Sequence, residues 1–245
     1  MKLNENERID YIFDQQMPII QSPDVFSFSL DAVILAYYTR ISKRTKVIVD
    51  LCSGNGAVGT FLTRRTDSLI IEIELQAKLA DMAKRTAILN HVEDRIKILN
   101  IDLKDSLKYL NHDSVDVLCC NPPYFKVTPS AKQNPNRTLA ISRHELETNL
   151  SEILSISKKI LKSGGKAFFI HRPERLTEIL EEFKKNNLGI NHLKFIHSFQ
   201  NTTANMVFIE AIKGKSSEGI NIDPPLYIYE QEGIYTKEMS KIIHG

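Results

Sequence analysis

The feature that most constrains the fold is a regular alternation of short apolar runs and amphipathic segments, which begins near Lys46. The apolar runs, interpreted as strands, cover residues 46–51, 69–73, 96–101, 115–120 and 166–170. Apolar residues at helical spacing occupy residues 58–66, 75–90, 150–161 and 174–187. This alternation predicts an α/β fold, a mostly parallel sheet with helices on both faces. Two closing runs, 191–199 and 206–212, predict an antiparallel pair, so we expect seven strands with one antiparallel edge strand.

The length of the chain, 245 residues, suits one large domain. We divide it into an N-terminal segment (1–45), a main domain (46–213) and a C-terminal tail (214–245) that we expect to be loosely attached. No apolar run approaches the ~20 residues of a membrane span. The N-terminus lacks the apolar core of a signal peptide. We therefore expect a cytoplasmic monomer that does not enter a membrane.

Cysteine usage and net charge exclude several classes of protein. The three cysteines have no CxxC spacing, which argues against both a disulfide framework and a zinc site. The seven histidines also lack the spacing of metal ligands, so no metal is expected. A net charge of +2 is too small to indicate a nucleic-acid partner by itself. Evidence for such a partner has to come from the local distribution of charge.

A glycine turn follows the first strand, in the run Asp50-Leu51-Cys52-Ser53-Gly54-Asn55-Gly56. Two glycines let the backbone pass close to a ligand, where a Cβ would collide. Glu72 follows at the end of the second strand, about 20 residues on, where a carboxylate meets a ribose diol in nucleotide-binding folds. Asp50 suits an amino group better than a diphosphate, which it would repel, and this argues against NAD. An ordinary strand-to-helix turn remains the alternative.

The run Asn121-Pro122-Pro123-Tyr124 comes directly after the fourth strand, at the edge where open α/β sheets bind ligands. A conjugated amine is a poor nucleophile because its lone pair is delocalised. Two acceptors aimed at its N–H groups favour the tetrahedral nitrogen that attacks a methyl group. The Asn121 side chain and the Pro122 carbonyl provide such acceptors, and Tyr124 provides an aromatic face for stacking. The alternative is a proline-rich turn with a buried tyrosine.

The loop after this motif, residues 125–144, carries basic residues and no acid. Its cations are Lys126, Lys132, Arg137 and Arg143. A basic stretch beside a catalytic motif is suited to phosphate contacts, which predicts an RNA partner. A solvated surface loop is the alternative.

Three motifs resemble those of the class I methyltransferases: DLCSGNG, IIEIE and NIDLKD. The resemblance implies a Rossmann-like fold and S-adenosylmethionine (AdoMet) as cofactor. It implies that Asp50 and the turn formed by Gly54, Asn55 and Gly56 line the methionine end. Glu72 would hold the ribose hydroxyls; Glu74 competes, but we expect it to point the other way along the strand. Asp102 would face the adenine amine, with a helix N-cap as the alternative.

Over residues 26–212 the chain resembles the bacterial tRNA (adenine-N6)-methyltransferases, which act on the adenine beside the anticodon of a valine tRNA. The resemblance rests on FSFSLDA, DLCSGNG, NPPYF and SRHE. It implies that Phe28 and Asp31 cover the cofactor pocket, and that Phe125 and His144 join the basic loop in binding RNA. One departure is the run at residues 57–60, where the family has bulkier apolar residues.

Other functions share the Asn-Pro-Pro-Tyr motif by resemblance. Methylation of a glutamine side chain in release factors and of guanine N2 in ribosomal RNA are the two alternatives. The short N-terminal segment argues against the first, because those enzymes carry a separate helical domain for their substrate. A non-catalytic AdoMet-binding protein is the third alternative, and the presence of both the acidic residues and the catalytic motif argues against it.

Overall fold

The computed structural model describes residues 2–12, 16–25, 29–124, 147–216 and 219–244. The strands are β1 Arg8–Ile12, β2 Met17–Gln21, β3 Val47–Leu51, β4 Leu69–Glu74, β5 Ile96–Asn100, β6 Val115–Cys120, β7 Leu161–His171, β8 Leu188–His197, β9 Ala204–Lys213, β10 Asn221–Tyr227, β11 Tyr229–Gln231 and β12 Ile234–Tyr235. The helices are α1 Leu30–Tyr38, α2 Ala57–Leu62, α3 Ala77–Leu89, α4 Leu150–Ile160, α5 Leu176–Lys185 and α6 Lys237–His244. Within these described ranges, two short 3-10 helices occupy Leu103–Lys108 and Pro173–Arg175.

The main sheet has eight strands in the described part of the chain, in the order β10-β8-β9-β7-β6-β3-β4-β5. Strands β3 to β7 are parallel to one another. They are rich in β-branched and other apolar residues because helices cover both faces. One core packs α1, α2, α3 and α6 against the sheet, and the other packs α4 and α5. The predicted α/β class with a mostly parallel sheet is confirmed.

The position of the antiparallel strand differs from the prediction. Strand β9 runs antiparallel to both β7 and β8 and therefore lies inside the sheet. The edge is formed by β10, an eighth strand that pairs in parallel with β8. The register of β10 shifts between Asp223 and Leu226, around two prolines that have no N–H to donate. Prolines are tolerated at a sheet edge, and their presence hid this strand from sequence reasoning.

The C-terminal tail packs closely on the main domain. Met239 and Ile242 of α6 are fully buried in the core that contains α1. The Tyr38 hydroxyl donates a hydrogen bond of 2.6 Å to the Glu238 carboxylate, which joins α1 to α6. The tail thus differs from the loosely attached terminus that its polar first half indicated, because the apolar residues of α6 repeat at helical spacing.

The N-terminal segment contacts the glycine turn. The hairpin of β1 and β2 precedes α1. The Asn55 side chain donates to the Ile20 carbonyl at 2.9 Å, and the Ile20 N–H donates to the Thr86 hydroxyl of α3 at 3.2 Å. The end of β2 is therefore fixed beside the turn, and the residues that follow it reach the rim of the same edge of the sheet.

Helix α2 is shorter than predicted, and its first turns pack against the buried side chain of Glu72. It begins after Gly56, which has φ +79°, and ends at Leu62. A Cβ on Gly56 would lie 2.7 Å from a Glu72 carboxylate oxygen, and one on Gly59 would lie 3.0 Å from the carboxyl carbon of Glu72. The small residues at 57–60, which depart from the family pattern, leave room for this side chain.

Gly59→Ala is therefore expected to destabilise the protein by about 1–3 kcal/mol, the usual cost of overpacking. Adding Glu72→Ala should restore much of the loss, because it removes the carboxyl group that the new methyl group meets. Chemical denaturation of the two single variants and the double variant measures the coupling. Strict additivity of the two changes would contradict this packing account.

Candidate active site

A cavity of about 690 Å³ opens at the carboxyl edge of the parallel strands. The ends of β3, β4 and β6 form its floor, and residues from the N-terminal segment and the end of β7 form its rim. The sequence-predicted residues that border it are Asp31, Asp50, Gly54, Asn55, Asp102, Asn121, Pro122 and Tyr124. The predicted cofactor turn and the predicted catalytic motif thus share one cavity.

The glycine turn is held in a left-handed backbone conformation. Gly54 has φ +59° and Gly56 has φ +79°, values that glycine adopts without a steric cost. Cys52 precedes them with φ +58°, and the next residue, Ser53, donates its N–H to the Ile73 carbonyl at 3.1 Å. The turn is therefore pinned to the end of β4, with its backbone along the cavity.

Glu74 is the acid that reaches the cavity from the end of β4. Its carboxylate accepts hydrogen bonds of 2.8 Å from the Gly54 and Gln76 N–H groups. Burial raises its pKa to about 7, against the lowering effect of those hydrogen bonds. The position and the oriented carboxylate suit the hydroxyl groups of a ribose.

The expectation that Glu72 reaches the ligand and Glu74 points the other way does not match the structure, and the ribose role itself stays a prediction. Side chains two residues apart point to the same face of a strand, so Glu74 does not point the other way. Glu72 lies one pleat earlier, fully buried against Gly56 and Gly59, and it is absent from the cavity wall. The strand brings Glu74, its last residue, to the edge where a ligand can reach it.

Asp50 borders the cavity beneath the turn and is 1% exposed. Neither of its carboxylate oxygens is hydrogen-bonded within the described residues. Burial and then the nearby acids Glu72 and Glu74 raise its pKa well above the ordinary value. A buried carboxylate without a partner is costly unless a cation pairs with it, so this position suits the ammonium group of an amino acid.

The buried acid behind the turn predicts a pH-dependent stability. Burial, and then the charge of Glu74, raises the pKa of Glu72 to about 8, whereas an unfolded glutamate titrates near 4.3. Between these values the folded state holds a proton that the unfolded state has lost, so stability falls as pH rises from about 4.5 to about 8. At pH 8 we expect Glu72→Gln to melt about 10 °C above wild type.

Thermal unfolding of the ligand-free proteins from pH 5.5 to 8 measures this effect. The variant should lose less stability than wild type over that interval, because one of the buried titrating groups is gone. Equal slopes for the two proteins would show that Glu72 is already ionised in the folded state.

Asp102 follows β5 and serves as the N-cap of the first 3-10 helix. Its carboxylate accepts the Lys104 N–H at 2.9 Å. The residue also borders the cavity. Both roles weighed from the sequence are thus compatible, and contact with an adenine amine stays a prediction.

The predicted catalytic motif leaves β6 at Asn121 and turns through two prolines into the cavity wall. The Tyr124 hydroxyl lies against the Asn121 side-chain oxygen and, at 3.1 Å, against the Asp31 carboxylate. The Arg175 guanidinium donates to the Tyr124 carbonyl at 3.0 Å, which fixes the end of the turn. The acceptor predicted to meet an amine is therefore located in the wall of the cavity.

Sequence reasoning missed a group of residues at the end of β7. Arg172 borders the cavity, with its guanidinium 5.9 Å from the centre of the Tyr124 ring. The His171 ring packs against the same tyrosine at 5.5 Å, and burial lowers its pKa to about 4, so it is neutral. The run HRPER directly follows a predicted parallel strand. Its position at the carboxyl edge of the sheet could have indicated from the sequence that these residues border the ligand site.

Several predicted residues lie outside the described part of the chain. They are Phe28, Phe125, Lys126, Lys132, Arg137, Arg143 and His144. Among the described residues, no group of three or more His, Cys, Asp or Glu side chains could hold a metal ion. Within those same ranges, no helix has the length and apolar character to cross a membrane.

Comparison with known proteins gives the class. Residues 16–195 match the family model of the methyltransferase small domain. A predicted O-methyltransferase of Agrobacterium tumefaciens aligns with TM-score 0.69 and 22% identity, covering 86% of this chain and 94% of that one. The TYW2 protein of P. horikoshii, crystallised with MeSAdo, aligns with TM-score 0.60 and 16% identity over 86% of this chain and 73% of that one.

Curated relatives cover most of the chain. The tRNA1(Val) (adenine(37)-N6)-methyltransferase of Shewanella woodyi is 26% identical over 224 residues, 89% of this chain and 90% of the relative. The Pedobacter heparinus protein of the same name is 24% identical over 224 residues, 91% of each chain. The fold and the cavity are those of an AdoMet-dependent methyltransferase. Within that class, the chain belongs to the methyltransferase small domain family.

Proposed function

We propose that this protein transfers a methyl group from AdoMet to the N6 amine of an adenine in tRNA, adenine 37 of a valine tRNA. The observation that carries the proposal is that the predicted cofactor site and the predicted amine site border the same cavity. Acids suited to an amino acid and a ribose, Asp50 and Glu74, lie on the floor, and the amine acceptor Asn121 lies in the wall. The tRNA substrate rests on the names of the curated relatives.

The residues of the cavity fit AdoMet. Asp50 brings a buried carboxylate without a hydrogen-bond partner in the described ranges, which matches the ammonium group of the methionine moiety. Glu74 takes the role of ribose ligand, and Asp102 remains the candidate for the adenine amine. When bound, AdoMet supplies a methyl group on a sulfonium, which leaves as a neutral thioether.

The catalytic motif acts on the amine of the substrate. The Asn121 oxygen and the Pro122 carbonyl accept hydrogen bonds from the two N–H groups, which moves the nitrogen towards a tetrahedral, nucleophilic state. The prolines hold this geometry because their backbone angle is fixed and they offer no competing donor. The Tyr124 ring stacks on the extruded base. An anticodon-loop adenine is already partly unstacked, so its extrusion costs less than flipping a base from a duplex.

Contact with RNA would come from the basic residues around the cavity. Arg172 is the cation that the described residues place on the rim. The loop with Lys126, Lys132, Arg137 and Arg143 follows the motif directly in the sequence. We propose that these cations contact phosphates on either side of the flipped base. The protein would work as a monomer in the cytoplasm, where its tRNA substrate occurs, with residues 1–45 capping the cofactor cavity.

Incubation of the protein with labelled AdoMet and, in parallel reactions, bulk tRNA, ribosomal RNA and a release-factor fraction from cells that lack the gene tests the proposal. Nucleoside analysis should find the label in N6-methyladenosine. Label in N2-methylguanosine, or in a release-factor fraction with none in RNA, would move the assignment to one of the two alternatives. The relatives named above favour the adenine enzyme.

A further inference from the structure

The Tyr124 hydroxyl sits between two acceptors that it cannot both serve. It lies against the Asn121 side-chain oxygen and 3.1 Å from the Asp31 carboxylate. A phenol has one proton to donate, so the Tyr124 hydroxyl can serve only one of these two acceptors at a time, and Asp31 has the Ser29 side chain as a further hydrogen-bond partner. An exocyclic amine has two N–H groups and matches this pair of acceptors where a hydroxyl does not.

We propose that Asp31 is a catalytic residue that accepts a hydrogen bond from the substrate amine and then takes its proton. The inference rests on the proposed function: Asn121 holds one of the two N–H groups throughout, and the other passes from the Pro122 carbonyl to Asp31 as the nitrogen becomes tetrahedral. In this account the Tyr124 hydroxyl occupies the place of the amine in the free enzyme. Substrate displaces the hydroxyl, and the tyrosine ring then stacks on the base.

Methyl transfer leaves one proton on the nitrogen to be removed, and in this account Asp31 accepts it. A nitrogen that gains a methyl group while keeping both hydrogens carries a positive charge. One N–H bond breaks as an O–H bond forms on the Asp31 carboxylate, so the product amine leaves neutral. The proton passes from the carboxyl group to water when the product has gone, and the carboxylate is restored.

The surroundings of Asp31 suit this task. It lies in the first turn of α1, partly buried, and borders the cavity. The titratable and charged groups that face it are Tyr124 from the catalytic motif and Arg172 from the end of β7. Burial raises its pKa, and the hydrogen bonds from Ser29 and Tyr124 and the charge of Arg172 oppose the rise. A carboxylate with a raised pKa is a better proton acceptor than an exposed one.

Two substitutions separate hydrogen bonding from proton transfer. Asp31→Asn keeps an acceptor oxygen but cannot take a proton at neutral pH, whereas Asp31→Ala removes both functions. We expect Asp31→Asn to lower kcat about 10²-fold, the lower range for general-base catalysis. The wild-type kcat should fall as pH drops through the Asp31 pKa, since the carboxylate is the active form, and Asp31→Asn should lack this acid limb.

A binding measurement gives a readout independent of turnover. An anticodon stem-loop with adenine at position 37 is compared with one that carries purine, which lacks the amine, in the presence of S-adenosylhomocysteine. Wild type and Asp31→Asn should both prefer adenine, and Asp31→Ala should lose about tenfold of that preference, the effect of one hydrogen bond to a charged group. Circular dichroism and thermal unfolding of the three proteins verify that they are folded.

Tyr124→Phe provides the matched control for an indirect role. It removes the hydroxyl that contacts Asp31. We expect kcat of this variant still to fall as pH drops through the Asp31 pKa, even if the value of kcat itself changes. Loss of the limb in Tyr124→Phe, or its persistence in Asp31→Asn, would overturn the proposal. Absence of adenine methylation by the wild-type protein would instead be a failure of the proposed function itself.

Discussion

Replacing Asn121 with alanine is expected to lower turnover by 10²–10³-fold, with little change in the affinity for AdoMet. The side-chain oxygen of Asn121 contacts the Tyr124 hydroxyl in the cavity wall, where we propose that the amine is activated. Loss of one preorganised transition-state contact has an effect of this size. AdoMet affinity should persist because the acids that suit the cofactor, Asp50 and Glu74, lie at the ends of other strands.

Single-turnover methyl transfer to tRNA and calorimetric titration with AdoMet measure the two quantities separately. Asn221→Ala is a matched control, because Asn221 begins β10, four strands away from β6 in the sheet. It should leave both quantities unchanged. An unaltered rate in Asn121→Ala would remove Asn121 from the reaction, and a parallel loss of AdoMet affinity would assign it to cofactor binding.

Replacing Glu74 with glutamine is expected to weaken AdoMet binding about 30–100-fold. A charged acceptor contributes ~1.5–3 kcal/mol per hydrogen bond, and an amide keeps one weaker acceptor for two ribose hydroxyls. Affinity in wild type should also rise as pH increases through about 7, because the ionised form of Glu74 is the acceptor and its pKa lies there. The variant should lack that part of the pH dependence.

Glu72→Gln is the control for this prediction. The two acids lie two residues apart on the same strand, both are buried, and both have a raised pKa. They differ in that Glu74 borders the cavity, whereas Glu72 fills the space beside Gly56 and Gly59. A loss of AdoMet affinity in Glu72→Gln that equals the loss in Glu74→Gln would contradict the assignment of Glu74.

Much of the fold could be predicted because local patterns determine it. Strands β3 to β6 coincide with the predicted runs to within about a residue, since parallel strands buried on both faces are continuous apolar segments. The order of strands in the sheet depends on packing between distant segments, which periodicity does not record. For this reason the sequence predicts the antiparallel strand at the edge, and β10, with its two prolines, falls in the segment expected to be a loosely attached tail.

The candidate site was predictable where chemistry and strand ends coincide. Asp50, the glycine turn and the catalytic motif each follow a parallel strand, so their meeting at one edge follows from topology. The prediction that Glu74 points away from Glu72 was wrong, because side chains two residues apart lie on the same face of a strand. Arg172 was missed because it ends a strand without belonging to a motif, and the Asp31–Tyr124 contact joins residues 93 positions apart.

Methyl transfer to two transcripts of a valine tRNA, one with adenine and one with guanine at position 37, tests the central claim most directly. The account predicts about one N6-methyladenosine per adenine transcript and no methylation of the guanine transcript. Equal labelling of the two transcripts, or label in neither while a glutamine-containing release factor is methylated, would contradict it.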